Sequence, residues 1–552
     1  MSMLRRVLNL AQGRAPALVA DGVLQLLGAA ADLALLGLSA RLVDRVLKAP
    51  SAALGLALVA GLLAIAREAA AYVAARLAAR AETGLLADTQ ARLYAHLQAL
   101  SIDFFDRSPP GDLAARLFHD VEGLGRLVTG TLTTAIGTGV RLLGVLAVLL
   151  RLDWGFGLVT ALVALPAVAL ARLDARRFAR RFDRLYADLG DLHDRAQESF
   201  GAAELVRSFG RERAESEDFA AAARQLAGRE AELRLLQARQ APLGAGLRYL
   251  ALLAGLIYGT RRIAAGALTA GGLTALLVGA WAFLEALQSL LGSASTAQAG
   301  LASARRVFAI LDQEPSVAAP PAGRRAAFEG DLCLENVGFA YPGRPPALRG
   351  IQLSIRPGER IALVGPSGSG KTTLLRLLLR LIDPSDGRLT LDGVDLRELE
   401  LSSLRGLFAT VPQHSLLLGR TLTENIAFGH AAAGPAAIAA AAESAGLEPV
   451  LARLPQGLET RLGPEGKGLS AGERQRVGLA RALVRPAPFL ILDEATSALD
   501  LAAEAELLET LARAAQGRTL LLVSHRPTIA QRVDRVVALA EGRLVSDGRA
   551  LG

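Results

Sequence analysis

Gly365-Pro366-Ser367-Gly368-Ser369-Gly370-Lys371-Thr372-Thr373 decides how the second half of this chain is read. The stretch follows the apolar run Ile361-Ala362-Leu363-Val364 and precedes Leu374-Leu375-Arg376-Leu377-Leu378, which has a helical pattern. Strand, glycine-rich loop and helix in that order make a phosphate-binding loop. Its glycines let backbone N–H groups turn inward around phosphates, and the helix offers them its positive end. Lys371 is then expected to reach the β- and γ-phosphates of a nucleoside triphosphate, and the Thr372 hydroxyl to ligate Mg²⁺. Composition supports the reading. Lysine and arginine total 61, yet lysine occurs only at Lys48, Lys371 and Lys467. A compact ammonium has been kept where it must fit among phosphate oxygens.

A strand ending in two carboxylates, Phe489-Leu490-Ile491-Leu492-Asp493-Glu494, lies further along. Buried strands of such folds deliver their last residues to the edge where phosphate sits. Asp493 is expected to hold Mg²⁺ through water, and Glu494 to polarise the attacking water as general base. Leu469-Ser470-Ala471-Gly472-Glu473-Arg474-Gln475-Arg476 opens a helical pattern, so Ser470 and the N–H groups behind it form a second anion-binding device. One phosphate group does not need two such devices from one chain. The economical explanation is two copies facing each other, each completing the other's site.

Outward from these motifs, the chain divides. It has 552 residues, 52% hydrophobic and 21% charged, with a mean hydropathy of +0.34; soluble domains average about a quarter charged. Before residue 310, apolar stretches near 17–42, 52–76, 130–150, 155–172, 243–260 and 268–291 are each close to the roughly 20 residues that cross the hydrocarbon core. The basic segments 77–129 and 173–242 are predicted cytosolic, and the short connections near 43–52, 151–154 and 260–268 external. Arg151, Arg261 and Arg262 fall on the wrong side for that rule. Both long segments read as helices running on into the cytosol, broken at Ser108-Pro109-Pro110-Gly111 and Ser199-Phe200-Gly201. A Pro/Ala/Gly-rich linker follows, giving domains at 1–312 and 328–552 joined by 313–327. After the linker, short strands alternate with helices.

Net charge +8 could point to nucleic acid, but the arginines are mixed with acids along helices, so nucleic acid is not expected as a partner. Cys333 is the only cysteine, which excludes internal disulfides and a cysteine-built metal site. Met1 to Arg14 reads as a retained cytosolic N-terminus rather than a secretory signal.

Taken together, these motifs resemble those of an ATP-binding cassette (ABC) exporter half-transporter of the lipid-flippase and multidrug type, over nearly the whole chain. The resemblance implies a membrane α-helical bundle of about six transmembrane helices with long cytosolic extensions, followed by an α/β P-loop domain of ABC type. It implies ATP as the nucleotide, with Tyr341 stacking on adenine and Gln413 linking Mg²⁺ to the membrane domain. Thr372, Gln413 and Asp493 are then the metal residues, and Gly365 to Thr373 the phosphate cradle. Ser470, Ala471, Gly472 and Glu473 match the signature that serves the opposite site, Ser497-Ala498-Leu499-Asp500 the loop that communicates across the dimer, and His525 the switch histidine beside Glu494. Phe104 to Leu113 resembles the first docking loop, Glu198 to Phe209 the second, and Thr460 to Gly466 the segment that meets them. The signature departs from the usual Leu-Ser-Gly-Gly-Gln at Ala471 and Glu473, which implies a competent but modified site. No peptidase-like extension precedes the first span, against a processing peptide exporter.

The expected activity is ATP-driven export of a lipid or amphipathic molecule by a homodimer in the cytoplasmic (inner) membrane, through alternating access. One subunit of a heterodimer exporting thiols, drugs or peptides is the alternative, and a soluble ABC ATPase is excluded by the spans. Asp32, Glu68, Arg141, Arg248 and Glu285 are either cargo contacts or ion pairs between helices.

Overall fold

A computed structural model of the chain describes residues 3–48, 50–238, 240–320, 322–494, 509, 516–524 and 533–549. Two compact units divide it: Met1–Gln98 with Ser108–Gln313, and Ala99–Arg107 with Glu314–Gly552.

The first unit is helical. Its long members are Ala15–Lys48, Pro50–Ala99, Thr133–Leu152, Trp154–Gly201, Glu212–Ala238, Gln240–Ala264 and Ala270–Leu311. At 1.5 Å per residue the 50-residue Pro50–Ala99 helix is about 75 Å long, far beyond the roughly 30 Å hydrocarbon core. The helices therefore continue outside any bilayer, as the sequence pattern predicts. Among the described residues, five helical segments are long and apolar enough to cross a membrane: Gln12–Lys48, Ala53–Ala99, Pro110–Leu152, Pro242–Ala264 and Ala270–Leu311. The expected fourth span, 155–172, begins on the apolar stretch Trp154–Pro166 of the continuous helix Trp154–Gly201. Both expected breaks occur. A new helix starts at Pro110, with proline at its first turn, and the Trp154–Gly201 helix stops at Gly201.

Charges inside this unit pair across helices. Arg67 Nε donates to Asp32 Oδ1 at 3.1 Å and also pairs with Glu68. Arg141 lies 3.4 Å from Asp32 and 3.2 Å from Glu285. Arg248 donates to Gln288 and sits 5.1 Å above the Trp281 ring. At the connection between Leu152 and Trp154, buried Asp153 accepts from Tyr258 Oη (2.9 Å) and Arg262 Nε (3.1 Å). That pairing accounts for an arginine on the side predicted to be external.

The second unit is α/β. Strands β1 (Leu332–Ala340), β2 (Pro346–Ile355), β4 (Asp386–Leu391) and β5 (Val394–Asp395) form an antiparallel sheet in the order β2-β1-β4-β5. Strands β3 (Arg360–Val364), β6 (Phe408–Val411), β7 (Phe489–Asp493), β8 (Thr519–Ser524), β9 (Arg535–Ala540) and β10 (Arg543–Arg549) form the other, in the order β10-β9-β3-β8-β7-β6. All its neighbours run parallel except β10 against β9. Strand β8 is buried at every position, so it reads as a continuous apolar run rather than an alternating one.

Period-two alternation splits each central strand between two cores. Ile361, Leu363, Ile491, Leu521 and Val523 face one core, shared with Leu374, Leu375, Leu377 and Leu378 of the phosphate-loop helix. Ala362, Leu490, Leu492, Leu520 and Leu522 face the other, shared with Val477, Leu479, Ala480 and Ala482 of the signature helix. The two helices pack on opposite faces of one sheet.

Candidate nucleotide site

Strand β3 ends at Val364 and the loop Gly365–Gly370 leads into the helix Lys371–Leu378. Two of its glycines are sterically required. A Cβ at Gly365 would lie 2.1 Å from Leu539 O, and one at Gly370 (φ +107) 2.7 Å from Ala347 O. The loop is pressed against neighbouring backbone and has no room for side chains there. Pro366, Ser367 and Gly368 are exposed, whereas Ser369 is buried. Ser369 Oγ is shielded from solvent with no hydrogen-bond partner among the described residues.

Lys371 is 6% exposed, and its Nζ donates to Gly365 O and Pro366 O, both at 2.9 Å. Burial pushes its ammonium below the usual lysine value, against the pull of the Glu494 and Asp493 carboxylates. An anion with several oxygens at this loop would offset that cost by adding negative charge beside the ammonium. Thr372 is exposed on the first turn and Thr373 is buried.

Asp493 closes β7, next in the sheet to β8. Glu494 follows at φ 48; its N–H donates to Val523 O at 3.0 Å, and its Oε2 accepts from Gln413 Nε2 at 2.7 Å. Gln413 lies just past β6, the neighbour of β7, so the sheet order itself brings the two together. A hydroxyl, carboxylates and an amide are oxygen donors that suit a hard cation, and Mg²⁺ takes few protein ligands when phosphates supply the rest. Accordingly, among the described residues, no cluster of His, Cys, Asp or Glu forms a metal cage by itself.

Tyr341 follows β1, its ring edge-on to Phe339 at 4.9 Å. Its hydroxyl lies 3.3 Å from Thr373 Oγ1 and accepts from Arg376 Nη1 at 3.4 Å. Arg376 was not singled out by the motif. Its position on the turn after Lys371 is the only local signal, since its partners come from distant segments.

Ser470 caps the helix Ala471–Leu483. Its Oγ accepts from Glu473 N (3.3 Å) while Glu473 Oε2 accepts from Ser470 N (2.7 Å). Ala471 and Gly472 form the first turn between them. The structure thus brings Tyr341, Gly365 to Thr373, Gln413, Asp493 and Glu494 to one edge of the sheets, and sets Ser470 to Glu473 on the helix that packs against the opposite sheet face. Asp500 and His525, with Ser497 to Leu499, lie outside the described residues.

Residues 99–107, which include Phe104 to Arg107 of the expected first docking loop, belong to this unit, and Ser108 to Leu113 of that loop to the helical one. Ser101 Oγ accepts from Val317 N and Asp103 Oδ1 from Ser316 Oγ, each at 2.9 Å. In the helical unit Phe200 and Phe209, on the expected second loop, are 79% and 73% exposed. A cavity of about 80 Å³ between helices of that unit is lined by Asp32, Arg67 and Arg141.

Two families match the chain: the ABC transporter transmembrane region over residues 18–287 and ABC transporter over residues 348–497. The ATP-dependent lipid A-core flippase of Thiobacillus denitrificans is 37% identical over 470 residues, 84% of this chain and 80% of that protein. The protein of the same name from Chromohalobacter salexigens is 33% identical over 553 residues, 99% and 95% of the two chains. A solved bacterial Atm1-family ABC exporter with ATP bound superposes with a TM-score of 0.86 at 29% identity, covering 97% of this chain and 95% of its own.

Proposed function

Because this chain belongs to the ABC transporter family, with its transmembrane region and ATP-binding domain on one polypeptide, we propose that it exports a lipid or a similar amphipathic molecule as a dimer of identical half-transporters. It is a multi-pass membrane protein and an ATP-hydrolysing exporter; the cargo class, the dimer and the residue roles are the proposal. The cargo class is supported by the two flippase relatives, whose names specify lipid A-core.

One observation carries the dimer. The phosphate-loop helix and the Ser470 helix pack on opposite faces of the sheet, so two anion-binding helix ends in one chain do not converge on one phosphate. Two copies arranged head to tail pair each phosphate loop with the other's Ser470, Ala471, Gly472 and Glu473. The exposed Phe200 and Phe209 give the second copy an apolar surface to cover.

In this reading Gly365 to Gly370 and Lys371 bind the phosphates, and the Tyr341 ring orients the adenine. Thr372, Gln413 and Asp493 would hold Mg²⁺, the last through water; the ion when bound would neutralise charge on the β- and γ-phosphates. Glu494 takes the proton of the attacking water, with Gln413 holding its carboxylate in place. His525 and Asp500 complete the site from the segments outside the described residues. Closure of two nucleotide sites, passed through the docking loops Phe104 to Leu113 and Glu198 to Phe209 to the long helices, turns the cavity from one side of the membrane to the other. ATP drives this only by binding the closed state more tightly than the open one.

The test is Mg²⁺-dependent ATPase activity of the chain purified alone into lipid nanodiscs, with Glu494→Gln as control, followed by a screen of lipids as stimulants. Activity lost in the variant, and raised by amphipathic lipids, is the expected result. An inactive, well-folded chain that gains activity only with a different subunit would replace the homodimer by the heterodimer.

A further inference from the structure

The signature helix carries a negative charge at its own positive end. Glu473 sits in the first turn of Ala471–Leu483, and its carboxyl is held below the usual range. Burial works to raise it, but the hydrogen bonds from Ser470 and the charge of Arg453 outweigh that. Glu473 is therefore ionised at neutral pH. A helix N-terminus presents only about half a positive charge, so a full carboxylate there more than cancels what an incoming phosphate needs. The same oxygen that accepts from Ser470 N, Oε2, lies 2.5 Å from Arg453 Nη2. Arg453 ends the short helix Glu448–Arg453, and its side chain is 52% exposed. The arrangement is a compensated pair at the mouth of the helix, with one residue's charge offset by a residue from a separate element.

We propose that Arg453 is a positioning residue for the nucleotide: by neutralising Glu473, it lets this helix N-terminus receive the terminal phosphate bound by the opposing copy. The inference rests on the reading of the Ser470 helix as part of the partner's nucleotide site. A glutamine in place of Glu473 would make the same capping bonds without charge and would need no Arg453. The arginine matters only because the glutamate is there.

The experiment measures steady-state ATPase kinetics of the full chain in nanodiscs for R453Q, E473Q, R453Q/E473Q and S470R, with thermal midpoints recorded in parallel. R453Q is expected to raise KM for ATP about tenfold, equivalent to ~1.4 kcal/mol, with a smaller change in kcat and a defect that shrinks as salt screens the exposed charge. The double variant is expected to return KM to within about twofold of the starting protein. A purely structural role would instead lower the thermal midpoint in R453Q and R453Q/E473Q alike. Unchanged KM in R453Q overturns the proposal, as does a double variant no better than R453Q. S470R separates the two layers. Activity abolished by S470R with R453Q silent removes this proposal alone, whereas full activity in S470R removes the trans-site reading and the proposal with it.

Discussion

Asp106 Oδ2 lies 2.6 Å from Arg376 Nη1, which ties the turn after the Pro50–Ala99 helix to the helix behind the phosphate loop. The same Arg376 nitrogen donates to Tyr341 Oη. A movement at the tyrosine expected to hold the base is therefore mechanically one side chain away from the docking turn. With side chains 26% and 42% exposed, the pair is expected to be worth no more than about 1 kcal/mol. Asp106→Ala and Arg376→Ala should each raise KM for ATP about two- to fivefold, and the double alanine variant should be no worse than either. A double-mutant cycle checks this; additive losses would mean that the two side chains act separately.

Glu494 is the carboxylate placed to accept a proton, with Gln413 bonded to its Oε2. Glu494→Gln keeps the shape and removes the base. Hydrolysis should fall by about 10²–10⁴-fold, the usual contribution of a general base, while nucleotide binding persists. Filter binding of labelled ATP beside the ATPase rate separates these effects, and binding lost in parallel with turnover would place Glu494 in the cradle instead.

Gly370 joins the loop to its helix at φ +107, a conformation that side chains rarely adopt, with Ala347 O 2.7 Å from where a Cβ would stand. Gly370→Ala should cost about 1–3 kcal/mol of local strain and weaken ATP binding more than tenfold. Gly368, at φ +78, faces open space, so Gly368→Ala should perturb binding less. Equal affinities for the two variants would show that the contact with Ala347 yields easily.

Much of the fold was legible because the relevant signals are local. Strands β7 and β8 have the apolar runs Phe489 to Leu492 and Leu520 to Val523 because those residues are buried on both faces of the sheet, and the phosphate loop follows its strand directly. The long helices show their length through an unbroken pattern. What depends on distant partners was not legible. Arg262 is an exception to the charge rule in the sequence, and its carboxylate partner, Asp153, comes from another helix junction. Arg376 and Arg453 match no motif, since each acquires its meaning from a carboxylate far away in sequence: Asp106 for one and Glu473 for the other. Of the charged residues expected either to pair between helices or to meet cargo, Asp32, Arg141 and Glu285 pair across helices, Glu68 pairs with its neighbour Arg67, and Arg248 bonds the Gln288 amide instead.

Asp153 gives a prediction whose sign follows from its surroundings. Its side chain is 4% exposed, and it accepts from Phe156 N at 3.0 Å, Tyr258 Oη at 2.9 Å and Arg262 Nε at 3.1 Å. Burial works to raise its pKa, yet the Phe156 and Tyr258 bonds and the Arg262 charge together hold it below the ordinary 3.8. A depressed carboxylate contributes stability that is fully present above the ordinary value and is lost as pH falls through the folded one. The helical unit should therefore keep a constant thermal midpoint near neutrality and lose stability below pH 3.8. Replacing the carboxylate by an amide weakens bonds to a charged acceptor, at a cost of about 2 kcal/mol near neutral pH. Asp153→Asn should accordingly melt earlier than the parent at neutral pH, with the gap narrowing as the parent's own carboxylate protonates. Thermal midpoints of both proteins in detergent between pH 3 and 7 provide the comparison. Parallel curves across that range would mean that Asp153 titrates alike in the folded and unfolded chain, and that its three donors do not favour the ionised form.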